Sequence, residues 1–294
     1  VTEIIVNGPQ SIWAERRGHL EQLDDAFFND LTYRNFIHRI CKDADIQVNL
    51  EYPFADGKWR EFRVNVCAPP ATPKYSSLCF RRHPTNPWTL DSLREQDWSS
   101  PQAMNHLKTL LSSHKNFIVV GCTGSGKTSV LNACLQSLPK NERVVLIEDT
   151  PELFLPNQVS TKLLTRHDPQ SILPTVDQTQ LVKQSLRMRP DRIVMGEIRG
   201  QEAKDLLMAF ATGHSGCMGT LHADSAKQAL IRLEMLIQMG APQWNLHAVR
   251  SLILMSLHAI IVVKRSHEGR RVLEGIYQLS SLEEFGFLLE KIAV

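Results

Sequence analysis

An α/β fold in two parts is what this sequence predicts: a small mixed α/β unit over residues 1–82, then a largely parallel sheet, covered by helices on both faces, across 94–294. Three observations carry that expectation. From residue 116 onward short apolar runs alternate with helical patterns, as successive βαβ units do. One of those runs leads into a glycine-rich loop that opens a helix. Between the two parts, residues 83–93 hold Pro84 and Pro87 and read as a linker.

In the first part, residues 3–6 and 12–16 read as short strands joined through Asn7, Gly8 and Pro9. Asp24 and Asp25 are placed to cap a helix whose apolar residues, Phe27, Phe28, Leu31, Phe36, Ile37 and Ile40, come near helical spacing. Residues 61–67 and 77–81 are two further strands. In the second part, a helix begins near Pro101 with Met104, Leu107 and Leu111 on one face. The apolar runs 116–120, 143–147, 192–195 and 259–263 are the strands of the predicted parallel sheet, and 217–221 is a fifth.

Composition narrows the function classes. Of 294 residues, 43% are hydrophobic and 22% charged, with a formal charge of +2, which suits a globular protein and excludes a disordered one. The near balance also argues against nonspecific nucleic-acid binding, for which a strongly basic domain is expected. The six cysteines are scattered with no C-x-x-C pair, so neither zinc nor a disulfide framework is indicated; reduced cytosolic thiols are expected. The most apolar stretch, 249–263, is interrupted by Arg250, Ser251, Ser256 and His258, whereas a spanning helix wants about 20 predominantly apolar residues. The start has neither a basic n-region nor a cleavage site, so no signal peptide is expected. It opens in strand-like sequence without a Met, as a chain trimmed at its N-terminus does.

The strongest local signal is Gly121, Cys122, Thr123, Gly124, Ser125, Gly126, Lys127 and Thr128, with Ser129 following, a full match to G-x-x-x-x-G-K-[ST]. An apolar strand precedes it and an apolar helix follows, the context that the motif requires. Glycines let backbone N–H groups turn inward around phosphates, and the helix N-terminus adds its dipole. Lys127 is then expected on the β- and γ-phosphates and the Thr128 hydroxyl on Mg²⁺.

Three further strand ends carry chemistry. The run 143–147 ends in Glu148, Asp149, Thr150, Pro151 and Glu152, acids at the carboxyl end of a parallel strand, where open α/β sheets bind ligands. The run 192–195 leads to Gly196 and Glu197; the nearest Asp, Asp191, precedes that strand, so Glu197 is the acid expected to hold a metal-bound water or orient the attacking one. The run 217–221 presents His222 at its end. His214 and His222 lie too far apart for a zinc pair of the H-x₃₋₅-H kind, and phosphate sensing by an imidazole N–H is the better reading of His222.

Taken in order, G-C-T-G-S-G-K-T, I-E-D-T-P-E-L, L-R-M-R-P-D-R-I-V-M-G-E-I-R-G and T-G-H-S-G-C-M-G-T-L-H-A-D-S resemble the Walker A, Asp, Walker B and His boxes of the type II/type IV secretion ATPases. Extended to L-R-M-R-P-D-R-I-V-M-G-E-I-R-G-Q-E-A, the third string is most similar to the tight-adherence pilus ATPases and their type IV secretion relatives, and E-I-I-V-N-G-P and R-R-V-L-E-G-I extend the tight-adherence likeness over nearly the whole chain. The resemblance implies a RecA-like P-loop domain behind a smaller, PAS-like N-terminal domain. It implies Lys127 and Thr128 on ATP and Mg²⁺, Glu197 as the Walker B acid, Glu148 as the Asp-box acid and His222 near the γ-phosphate. It also implies that arginines of the N-terminal domain reach the nucleotide, with Arg63 and Arg81 the matching residues and Arg82 next. The implied assembly is a homo-hexamer, cytoplasmic and peripheral at the inner membrane, working on a platform protein of a pilus or secretion system, with no nucleic acid expected. Asp224 stands where relatives often carry a neutral residue, and residues 164–170 match only through Thr165 and Arg166. Two rival readings remain open at this point, a RecA-like nucleic-acid motor and a nucleotide-binding scaffold without turnover.

Overall fold

A computed structural model describes residues 1–16, 19–82, 86–166, 173–266, 269–283 and 286–293. The chain divides into two compact units, Val1–Asn86 and Pro87–Val294.

The first unit is built from β1 (Glu3–Gly8), β2 (Ser11–Arg16), β3 (His19–Gln22), α1 (Asp30–Asp43), β4 (Phe54–Trp59), β5 (Phe62–Cys67) and β6 (Ser77–Arg82). Its strands form one antiparallel sheet in the order β3-β2-β1-β6-β5-β4. Inward residues alternate along the strands, Val64 and Val66 on β5, Leu78 and Phe80 on β6, and they pack with Tyr33, Ile40 and Cys41 of α1. The helix start differs from expectation. Asn29, not Asp24 or Asp25, caps α1, accepting from the Thr32 N–H at 2.9 Å while the Thr32 hydroxyl answers the Asn29 N–H. The buried stripe therefore runs through Tyr33, Phe36, Ile37, Ile40 and Cys41, at helical spacing, and Phe28 and Leu31 are left exposed.

The second unit runs α2 (Leu90–Glu95), α3 (Pro101–Ser112), β7 (Phe117–Val120), α4 (Lys127–Gln136), β8 (Val144–Glu148), β9 (Thr161–Leu164), α5 (Gln178–Ser185), β10 (Arg192–Ile198), α6 (Glu202–Ala211), β11 (Met218–Leu221), α7 (Ala226–Gly240), α8 (Leu246–Ser256), β12 (Ala259–Arg265), β13 (Arg271–Glu283) and β14 (Gly286–Ala293). Of the expected linker, residues 83–85 lie outside the described residues, and from Leu90 the chain is helical, capped by Thr89. Residues 167–170 of the poorly matching stretch also lie outside them.

Eight strands form one sheet in the order β14-β13-β12-β7-β11-β10-β8-β9; the six from β12 to β9 are parallel, and β13 and β14 add an antiparallel edge. Burial on both faces explains why the strands read as continuous apolar runs. Successive residues alternate between two cores: Ile118, Val120, Ile193, Met195, Ile260 and Val262 face the side covered by α5 to α8, while Phe117, Val119, Val194, Ile261 and Val263 face α2, α3 and α4. No described helix is long and apolar enough to cross a membrane.

Candidate functional site

The parallel order decides where the site lies. Strands β7, β11, β10 and β8 are neighbours, so the segments leaving their carboxyl ends share one edge of the sheet. From β7 the chain turns through Gly124 (φ 74°) and Gly126 (φ 97°), left-handed positions that favour glycine, and Gly126 caps α4 with no side chain on its first-turn N–H groups. A Cβ on Gly121 would run into the Val263 carbonyl and lie 2.5 Å from Ser125 Oγ. That Oγ is buried and has no hydrogen-bond partner among the described residues. A loop with two left-handed glycines, an uncapped helix start and an unsatisfied buried hydroxyl fits a polyphosphate, whose oxygens accept from such groups.

Lys127 Nζ donates to the Gly121 carbonyl at 2.9 Å and the Cys122 carbonyl at 3.0 Å, and lies 3.4 Å from His222 Nδ1. His222 leaves the end of β11 and sets its Nε2 3.1 Å from Glu197 Oε1. Burial and the charge of Lys127 push the imidazole below its ordinary range, against the pull of Glu197, so the ring is neutral at pH 7. Its geometry then assigns the tautomer: Nε2–H donates to the carboxylate, and the Nδ1 lone pair faces the ammonium.

Glu197 reaches this position through a local irregularity. The ladder between β10 and β11 pairs Met195 with Gly219 and then Ile198 with Leu221, so β10 carries one extra residue at Gly196 and Glu197. The other Glu197 oxygen, Oε2, is 2.5 Å from Arg199 Nη2, and Arg199 Nη1 lies 3.4 Å from Asp149 Oδ2. Asp149 is held in turn by Gln178 Nε2 at 2.9 Å and the Thr165 hydroxyl at 3.0 Å. Burial works to raise the Glu197 carboxyl, but the hydrogen bond and charge of Arg199, with His222 and Lys127 behind them, outweigh it and hold the group below the usual carboxylate range. An unbroken string of contacts thus runs from the P-loop lysine through His222, Glu197 and Arg199 to Asp149.

Glu148 lies apart from that string. It is buried at the end of β8, its Oε1 accepts from the N–H groups of Glu152 and Leu153 at 3.0 and 2.9 Å, and Lys162 Nζ is 3.0 Å from its Oε2. Burial pushes this carboxyl up, against Lys162 and the two N–H groups. Gly196 makes the room, since a Cβ there would sit 2.9 Å from Glu148 Cγ.

A profile of the family described as "Type II/IV secretion system protein" matches residues 1–267. The chain belongs to that family. A putative conjugal transfer protein of Mycobacterium tuberculosis is 31% identical over 289 residues, which cover 96% of this chain and 82% of that one. The type IV secretion system protein PtlH of Bordetella pertussis is 33% identical over 300 residues, 92% of this chain and 88% of that one. Among solved structures, the VirB11 ATPase of the Brucella suis type IV secretion system, in complex with sulphate, is similar with a TM-score of 0.55 and 25% identity, covering 94% of this chain and 89% of that one. This secretion-ATPase likeness agrees with the RecA-like unit and smaller N-terminal unit expected from sequence.

Of the residues singled out in sequence, Lys127, His222 and Glu197 meet in this secretion ATPase as one contact string, with Gly121 to Gly126 forming the loop beside them. Thr128 and Ser129 are half-buried in the first turn of α4. Cys122 is exposed, and its Sγ lies 2.8 Å from Asp224 Oδ1, a contact that raises the thiol. Asp191, at the other end of β10, accepts from the Arg143 N–H at 2.7 Å and serves the strand starts. His214 precedes β11 and His222 follows it, so the strand separates the two histidines. In the first unit, Arg63 and Arg81 are paired across β5 and β6; Arg63 lies 3.4 Å from Asp56 and Arg81 3.8 Å from Glu3, while Arg82 is exposed.

Sequence reasoning missed Arg199 and Gln178. Arg199 carried a usable signal, because residues two apart on a strand share a face, and Glu197 and Arg199 leave β10 two apart. Gln178 came with none, since only the fold brings α5 to Asp149. Asn132 of α4 was missed as well; its Oδ1 accepts from the Phe154 N–H at 2.9 Å and ties the P-loop helix to the segment after β8.

Proposed function

We propose that the chain is the subunit of a homo-hexameric motor that hydrolyses MgATP to power pilus assembly or protein secretion across the bacterial envelope. The observation that supports it best is the contact string from Lys127 at the start of α4 through His222 just after β11 to Glu197 near the end of β10, beside a phosphate loop. Lys127, now on two loop carbonyls, turns to the β- and γ-phosphates, and the inward N–H groups of the loop take the remaining oxygens. Glu197, kept ionised by Arg199, orients the attacking water, and His222 carries the state of the γ-phosphate between Lys127 and Glu197. Thr128 and Glu197 would hold Mg²⁺, which supplies charge neutralisation on the phosphate oxygens. Glu148 supports the Asp-box segment through its two backbone hydrogen bonds. Arg63 and Arg81 are proposed as phosphate-sensing arginines on the family resemblance.

The string 186–203 favours the tight-adherence branch, and relatives named for conjugal transfer and type IV secretion favour work on an envelope platform. The subunit is accordingly cytoplasmic and peripheral at the inner membrane, with a platform protein as its partner. Calorimetry with MgATP tests the nucleotide assignment. Lys127→Ala should abolish tight binding while the nucleotide-free chain still folds, giving up there only the hydrogen bonds to the Gly121 and Cys122 carbonyls. Unaltered affinity in that variant sinks the P-loop assignment.

A further inference from the structure

The phosphate loop is backed along its outer side by the strands β12 and β13. Gly121 sits against the Val263 carbonyl of β12. Further along the loop, Arg271 at the start of β13 donates from Nε to the Gly124 carbonyl at 3.1 Å. The stem of the same arginine lies on Gly126: a Cβ there would be 3.0 Å from Arg271 Cδ and 3.7 Å from its Cβ and Cγ. One side chain therefore holds both left-handed glycines that flank Ser125. The register fixes its place, since β12 runs parallel beside β7, which leads into the loop, and Arg271 pairs with Arg265 at the end of the ladder where the chain passes from β12 to β13.

The direction of that hydrogen bond matters. In a loop that cradles an anion the N–H groups converge inward, and the carbonyl between two left-handed residues is left pointing away with no ladder partner. An unpaired carbonyl there is free to rotate, and each rotation of the peptide carries an N–H out of the cradle. A guanidinium on the carbonyl from behind opposes that rotation, and its planar, multi-donor head makes it a firmer anchor than water. Among the described residues Arg271 makes no ion pair that would compete for it.

We propose that Arg271 is a positioning residue for nucleotide binding, which presets the phosphate loop by holding the Gly124 carbonyl and covering Gly126. The proposal rests on the phosphate-loop reading given above and adds to it a residue nearly 150 positions away in sequence, as the separation of 147 between Arg271 and Gly124 records. Part of the nucleotide affinity then comes from an ordering cost already met in the free protein, the usual effect of preorganisation.

A graded series in the full chain separates the hydrogen bond from the packing. Arg271→Lys keeps the stem and one donor; Arg271→Met keeps the stem alone. Calorimetry with MgADP and with MgATP should give a Kd raised about tenfold for Arg271→Met and about threefold or less for Arg271→Lys, the scale of losing or keeping one charged hydrogen bond. KM for ATP should rise by more than kcat falls, and the melting temperature without nucleotide should match that of the unaltered chain. A merely structural arginine would instead lower that melting temperature and leave Kd per folded molecule unchanged, and this pattern overturns the proposal. If Lys127→Ala loses binding while Arg271→Met binds as the unaltered chain does, the inference about Arg271 fails alone. If the unaltered chain binds neither nucleotide, the phosphate-loop reading fails and takes this one with it.

Discussion

His222 has two faces, and the structure uses both. Its Nε2 meets Glu197 at 3.1 Å and its Nδ1 lies 3.4 Å from Lys127, so a neutral ring links the P-loop cation to the acid at the end of β10. Departure of Lys127 toward a phosphate would leave Nδ1 without its donor, and the Glu197 contact would feel the change. A half-exposed histidine of this kind has little packing to lose. His222→Ala should accordingly lower kcat for ATP by about tenfold or more, within reach of a positioned acid–base group, with little change in ADP affinity and melting temperature. A large drop in melting temperature with normal turnover per folded molecule would show a core histidine and refute the sensing role. The sequence made His222 and Glu197 visible as strand-end residues, but their mutual contact depends on the extra residue in β10, which no periodicity announces.

At the scale of elements, five apolar runs became β7, β8, β10, β11 and β12 because strands buried on both faces must be apolar throughout. Among the strands that went unread, β9 and β4 carry no such run. β9, with the sequence TKLL, is half-buried at the sheet edge, and β4, FADGKW, contains Asp56 and Gly57, which read as a turn. In the fold, Gly57 answers a close approach: a Cβ there would meet Ile46 Cγ2 at 2.5 Å. The start of α1 was misplaced for a related reason, since Asp24, Asp25 and Asn29 are all competent caps and only Asn29 has Thr32 to complete the reciprocal pair. Gly196 belongs to the same class of close-approach glycines. Gly196→Ala should force the Glu148 side chain away from β10, costing about 1–3 kcal/mol as an overpacked buried site does. Chemical denaturation reads this directly, and a stability equal to that of the unaltered protein would mean that β8 and β10 part without strain.

In the whole molecule a secretion-family fold holds one chemical centre in the second unit, and Arg63 and Arg81 of the first are proposed to read the γ-phosphate. Arg63→Ala and Arg81→Ala should each weaken ATP binding more than ADP binding, because a guanidinium pairs most strongly with the charge that ADP lacks. Equal losses for the two nucleotides, measured by calorimetry, would leave both as surface arginines engaged with Asp56 and Glu3. The centre itself is tested most directly by phosphate release from MgATP in Glu197→Gln, with binding followed in parallel. The amide keeps the shape of the side chain and a hydrogen bond to His222 or Arg199, but it cannot accept a proton. Retained MgATP binding with phosphate release reduced by about 10² or more is expected; release at the rate of the unaltered chain would overturn the role of Glu197.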